Sequence, residues 1–81
     1  MEILKPPMEP RNLCGQNIAR LRKAMIPKVS QRALADKMQL LNINLDKNAI
    51  QRIEAGLRLV TDIELHAFAQ IFKTTADELL K

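Results

Sequence analysis

Residues 46–58 read DKNAIQRIEAGLR, a short segment punctuated as a helix at both ends. Asp46 offers a capping carboxylate, and Gly56 offers the left-handed residue on which helices commonly close. Advancing about 100° per residue, Ala49, Ile50 and Ile53 fall on one side of the cylinder and Lys47, Asn48, Gln51 and Arg52 on the other. The inner side anchors the helix. The outer side carries long hydrogen-bonding side chains and no carboxylate. The major groove of duplex DNA admits one helix and displays donors and acceptors at base edges. Asn and Gln pair two-pronged with adenine, and Lys or Arg with guanine; each good pair gives about 1–3 kcal/mol of discrimination. A solvated surface helix uses the same residue types, so the wheel by itself leaves both readings open.

The totals narrow the choice. Eighty-one residues make one domain near the lower size limit for folding on a single core, and 47% apolar residues suffice for that core. Phe68 and Phe72 are the whole aromatic content, which argues against a single-strand platform that stacks bases on rings. A net charge of +4 and a pI near 9.6 fit a polyanionic partner, and equally fit plain solubility. One Cys and one His exclude an internal disulfide and a Cys/His zinc cluster, and a reducing cytoplasm is the expected compartment. No apolar run reaches the ~18 residues of a membrane span, and no signal-peptide pattern opens the chain. His66 has no nucleophile or carboxylate cluster in register and reads as a boundary residue. Cys14 reads as an inert core thiol. No Gly-rich phosphate loop is present. The expectation is a non-enzyme with no cofactor and no metal.

Along the chain, residues 1–11, MEILKPPMEPR, hold three of the four prolines and predict an extended arm rather than a helix. The folded domain is expected over 12–81. Asn12 is positioned to cap a first helix running to Met25, with Cys14, Ile18, Leu21 and Met25 as its core stripe and Pro27 as its stop. Ser30 caps a second helix through Leu41, in which Leu34, Ala35, Met38 and Leu41 share a face. Gln31 and Arg32 occupy its first turn, where unpaired N–H groups welcome anions. NINL, residues 42–45, predicts a turn at Asn42 and Asn44, with Ile43 and Leu45 as apolar pins. Thr61 with Glu64 and Thr75 with Glu78 read as capping boxes of a fourth and a fifth helix. The fourth helix has two apolar arcs. One is Leu65, Phe68, Ala69 and Phe72; the other is Ile63, Ala67 and Ile71. Arg22 and Glu54 each flank the apolar stripe of their helix, so packing of the first helix on the third predicts a partly buried ion pair that orients the third.

The fragments IARLRK, SQRALADKM, AIQRIEAGLR, TDIELHAFAQIF and TADELL, in this order and spacing, resemble the Xre/Cro-C1 helix-turn-helix family of phage and bacterial regulators over residues 12–81. The resemblance implies an all-α, five-helix, lambda-repressor-like domain whose third helix enters the major groove. It implies base contacts by Lys47, Asn48 and Gln51, and contact of Arg52 with either bases or phosphate. Gln31 at the start of the second helix and Arg58 after the third match phosphate-contacting positions, and Arg32 is added to them from its place in the anion-welcoming first turn. Gln31 would also brace the third helix, and Arg22 with Glu54 match a structural ion pair. Two departures stand out. The turn between the second and third helices is lengthened by about five residues, which bears on the pitch of the third helix. Lys73 stands where the family often has Gly.

The implied function is a sequence-specific regulator of double-stranded DNA, a repressor acting as a homodimer on a near-palindromic operator. Ile63, Ala67 and Ile71, with Leu79 and Leu80, are open either to a dimer contact or to core filling. Two alternatives share the fold: an antitoxin-like module that binds a toxin or other protein partner, and a controller of a restriction–modification operon.

Overall fold

The computed structural model describes residues 10–81. The expected arm lies outside the described residues except for Pro10 and Arg11. Five α-helices and no strand are present among the described residues: α1 Gly15–Ala24, α2 Gln31–Leu40, α3 Lys47–Glu54, α4 Asp62–Phe72 and α5 Ala76–Leu79. The fold is all-α. Helix α3 packs on α2 and α1, and α4 on α1, α2 and α5. No helix is long and apolar enough to cross a membrane among the described residues.

The core follows the helical periodicities. Ile18, Leu34, Met38, Ile50, Ile53, Phe68 and Leu79 are fully buried, with Cys14 and Leu45 almost so. Burial raises the Cys14 thiol above its ordinary value, which keeps it protonated and unreactive. Leu45 and the half-buried Ile43 pin the α2–α3 connection to the core. Leu41 does not join them. It follows the last helical residue and stays 37% exposed, because α2 ends one residue earlier than its periodicity predicts. Among the apolar residues of the second α4 arc and α5, Ala67 and Leu79 fill the core, while Ile63 and Leu80 remain exposed. Leu79 is thereby removed from any contact between copies.

Helix ends are set by local chemistry. Ser30, Asp46, Thr61 and Thr75 accept bonds from Ala33, Ala49, Glu64 and Glu78 backbone N–H groups. At Thr61 the box is complete, since the Glu64 side chain returns to the Thr61 N–H at 3.0 Å. At Thr75 only half of the expected box forms, because Glu78 turns to Lys81 Nζ at 2.9 Å instead. The C-terminal ends of α2, α3 and α4 share one device. Asn42, Gly56 and Lys73 all take positive φ, and each following N–H bonds the carbonyl five residues back, Met38, Arg52 and Ala69 respectively.

Helix α1 starts two residues later than the sequence predicts, and Asn12 lies outside it. Its Oδ1 still accepts from Gly15 N–H at 2.7 Å, satisfying a first-turn donor. Its Nδ2 donates to the Ile53 and Arg58 carbonyls at 3.1 and 2.8 Å, across to the end of α3. Gly15 permits this approach: a Cβ built there would overlap the Ile53 carbonyl oxygen. Gly15→Ala is therefore expected to cost about 3 kcal/mol in urea denaturation, at the upper end of overpacking penalties, since backbone rather than a mobile side chain must yield. A loss below about 0.5 kcal/mol, the range of neutral surface changes, would contradict the close packing.

Candidate nucleic-acid interface

Helix α3 displays the predicted division of residues. Ile50 and Ile53 are fully buried and Ala49 half-buried, while Lys47, Asn48, Gln51 and Arg52 are exposed. None of those four side chains makes a hydrogen bond or ion pair among the described residues. They form an outward arc of two cations and two amides. A cleft of about 390 Å³ runs beside it, bounded by Arg32, Gln39 and Asn44 with Lys47 and Asn48. It also holds two carboxylates that the wheel of α3 could not reveal, Asp36 on α2 and Asp46. Asp46 is occupied as the α3 cap.

The back of α3 is held by a polar network. Arg22 Nε and Nη2 donate to Glu54 Oε2 and Oε1 at 2.7 and 2.9 Å, a two-pronged pair. Arg22 Nη1 donates to the Val29 carbonyl at 3.1 Å. Gln31 Nε2 donates to the same Glu54 Oε1 at 2.9 Å. The paired side chains are only 12% and 7% exposed, and Glu54 holds the Arg22 guanidinium more firmly protonated. No buried side-chain polar atom lacks a partner among the described residues. Gln31 thus braces α3 from α2, with its carbonyl oxygen and second N–H left for other partners. Arg32, beside it in the first turn, is exposed and unpaired among the described residues.

Arg58 is placed differently from its expectation as a phosphate contact. Its two Nη atoms donate to Glu64 Oε1 and Oε2 at 2.9 and 3.0 Å, and Nη1 also donates to the Leu59 carbonyl. The guanidinium is paired with Glu64, and its side chain is still 31% exposed. Arg58 holds the Glu64 carboxyl below the usual 4.5, helped by the Thr61 backbone N–H. His66 is exposed on α4. No cluster of metal-ligating side chains occurs among the described residues.

Helices α2 and α3 have no acidic residue in their first turns, whereas α4 carries Asp62 and Glu64 and α5 Asp77 and Glu78. Acids in a first turn complement the positive end of the helix dipole. The start of α2 instead offers Gln31 and Arg32, an arrangement suited to an external anion.

Two supports of the site escaped sequence reasoning, the bonds from Asn12 to the end of α3 and the close approach at Gly15. Asn12 carried a signal as a cap, but its second role needs a partner 41 residues away. Gly15 carried no local signal, because it lies inside a helix where glycine is ordinarily unfavourable.

Removal of Glu54 strands both Arg22 and Gln31. Glu54→Ala is expected to cost about 3–5 kcal/mol by chemical denaturation, as for other buried pairs broken on one side. Glu78→Ala, which breaks the exposed Lys81 pair, is expected to cost far less through that pair, because water screens it. Equal losses would show that the Glu54 network is no more than a surface pair. A second expectation concerns pH. A carboxylate with a lowered folded value contributes stability that is present above its unfolded value and lost as pH falls through the folded one. The stability difference between the wild-type chain and Glu64→Gln should therefore be largest near neutrality and shrink as pH drops below 4.5. A difference constant from pH 7 to 3 would rule out the Arg58–Glu64 pair as its source.

No protein-family model, curated protein or solved structure matches this chain, so the functional reading stands on its sequence and geometry.

Proposed function

We propose that this chain is a sequence-specific, double-stranded DNA-binding regulator of the helix-turn-helix type, with α2 and α3 as its DNA-binding unit. The observation that carries the reading is the outward arc of α3. Four donor-rich side chains face solvent without an internal partner, on a helix fixed from behind by Ile50, Ile53 and the Glu54 network. A helix whose exposed side served only solubility would not need three separate elements to hold its orientation. In this reading Lys47, Asn48 and Gln51 reach base edges, and Arg52 reaches a base or a phosphate. Arg32 and the open N-terminus of α2 meet the backbone, with Gln31 sharing its remaining hydrogen-bonding groups there. Arg58 would meet the backbone only while sharing its guanidinium with Glu64.

A single helix covers one half-site. Two copies on a near-palindromic operator, with half-sites about 34–36 Å apart, supply the affinity that one copy lacks. Occupancy of such a site excludes other proteins from it, which is repression in its simplest form. Discrimination comes from the amides and cations of α3, and overall affinity from neutralised phosphates, whose number sets the salt dependence.

Selection of bound duplexes from a random pool, followed by titration at several salt concentrations, tests the proposal. Enrichment of a two-part symmetric sequence is expected, with log affinity falling against log salt by about 0.9 per neutralised phosphate. Gln51→Ala should weaken preference at one base position in each half by about 1–3 kcal/mol and leave other positions unchanged. A uniform loss on all sequences would show that Gln51 does not read a base. No detectable binding to any duplex at low salt would leave the chain as a protein-interaction module.

A further inference from the structure

Helix α2 adds polar side chains of its own beside the reading helix. Arg32, Asp36 and Gln39 recur at helical spacing on one face of α2, and they line the same cleft as Asn44, Lys47 and Asn48. The carboxylates of residues 31–54 are Asp36, Asp46 and Glu54. Asp46 is occupied by the Ala49 N–H, and Glu54 by Arg22 and Gln31. Asp36 is exposed and belongs to none of the ion pairs among the described residues, although Arg32 lies one turn before it on the same face. It is the carboxylate of the α2–α3 unit that these internal bonds leave open.

A free carboxylate in this place works against the attraction of a +4 chain to a polyanion. The cleft sets two cations, Arg32 and Lys47, against two carboxylates, Asp36 and Asp46, so as a whole it offers phosphate no net attraction. What it does offer is a charged acceptor beside a charged donor. The major-groove edge of a C·G pair presents the complementary couple, because the cytosine N4 amino group donates next to the O6 and N7 acceptors of guanine. An A·T pair fits less well. Its adenine amino group has the N7 acceptor beside it, facing the second carboxylate oxygen, and thymine offers only O4 and a methyl group.

We infer that Asp36 is a specificity-determining residue, selecting cytosine by accepting a hydrogen bond from its N4 amino group while Lys47 donates to the paired guanine. The inference rests on the DNA-binding reading and adds which base pair is chosen beside the start of α3, and by which residue of α2. Position supports it. Lys47 and Asn48 are the first two residues of α3, and both line the cleft with Asp36, so a base edge that meets Lys47 there also meets the carboxylate. Chemistry supports it as well. A carboxylate carries no donor, so at any pair that turns only acceptors towards it the charge is left unpaired and repelled. Its cost in overall affinity is thereby returned as rejection of the wrong base.

The test uses the full chain, its Asp36→Ala and Asp36→Asn variants, and duplexes selected from a random pool. Asp36 is exposed and belongs to no ion pair among the described residues, so both variants should fold and unfold as the wild-type chain does. The wild-type chain should prefer C·G at one position of each half-site by about tenfold or more. Asp36→Ala should reduce that preference to within about twofold and leave the other positions unchanged. Asp36→Asn should move it towards adenine, which an amide pairs at N6 and N7. N4-methylcytosine at the same position keeps the base pair but replaces the exposed N–H by a methyl group. It should weaken the wild-type chain by about tenfold and Asp36→Ala by less than about twofold. If the variants bind every duplex more tightly by one common factor and keep the base profile, Asp36 is only a repelled surface charge. The inference is then overturned while DNA binding stands. Equal responses of wild type and Asp36→Ala to the methylated base overturn it too. Absence of wild-type binding to any duplex at low salt removes the DNA reading and this inference together.

Discussion

The arrangement turns on one carboxylate. Glu54 closes α3 and accepts bonds from Arg22 of α1 and Gln31 of α2, so three helices meet on a single acceptor. Such a network is not by itself a large source of net stability, because desolvating the charges offsets most of their attraction. Its contribution is directional. A two-pronged guanidinium–carboxylate pair accepts one geometry, and rotation of α3 about its axis would lose both charge-assisted bonds. Asn12 adds a second fixed point one residue earlier, at the Ile53 carbonyl, and Gly15 allows α1 to come close enough for it. The same end of α3 is therefore held from two sides, while Asp46 and Leu45 hold the other end.

A small domain with few aromatic residues depends on its helix termini more than a large one does. Three of its helices close on a left-handed residue, and only one of those is Gly. Asn42 tolerates the conformation through its short polar side chain, whereas Lys73 at φ 56° bears a cost of about 1–2 kcal/mol. The strain sits where it is offset. The reversal at Lys73 brings Thr74 N–H onto the Ala69 carbonyl at 2.9 Å and positions Thr75 to cap α5. It thereby delivers Leu79 into full burial, a gain of about 1.5–3 kcal/mol. Asn17 of α1 holds the end of α5 in place by donating to the Leu79 carbonyl at 2.8 Å.

The parts of this molecule that were legible in its sequence are those whose cause is local. Ser30, Asp46, Thr61 and Thr75 precede helices whose first-turn N–H groups lie within three residues. The isoleucines of α3 oppose its polar residues by periodicity alone. Arg22 and Glu54 were recoverable together because each borders an apolar stripe and so must end near the seam between helices. What was not legible depends on long-range approach or on competition. Gly15 matters because the Ile53 carbonyl passes beside it. Glu78 had two possible partners, and the terminal Lys81 took it from Thr75. Arg58 had a neighbour of opposite charge six residues away, but only the fixed entry of α4 brings Glu64 into register with it. Leu41 obeys the helical period, yet α2 is closed at Leu40 by the turn at Asn42.

The six-residue connection between α2 and α3, residues 41–46, raises the question of how α3 keeps a definite pitch. The connection does not set that pitch. Ile43 is drawn in by its N–H bond to the Met38 carbonyl at 3.0 Å, and Leu45 is buried immediately before the Asp46 cap, so the chain is anchored to the core before α3 begins. From there Ile50, Ile53, Glu54 and Asn12 determine the orientation, and none of them belongs to the turn. Asn42 and Asn44 can then lie exposed in the connection without loosening the helix. The outward side chains are equally uncoupled from the scaffold: Lys47, Asn48, Gln51 and Arg52 make no internal hydrogen bond among the described residues. Their identities are constrained by whatever they meet outside the protein, and the core would accept many others.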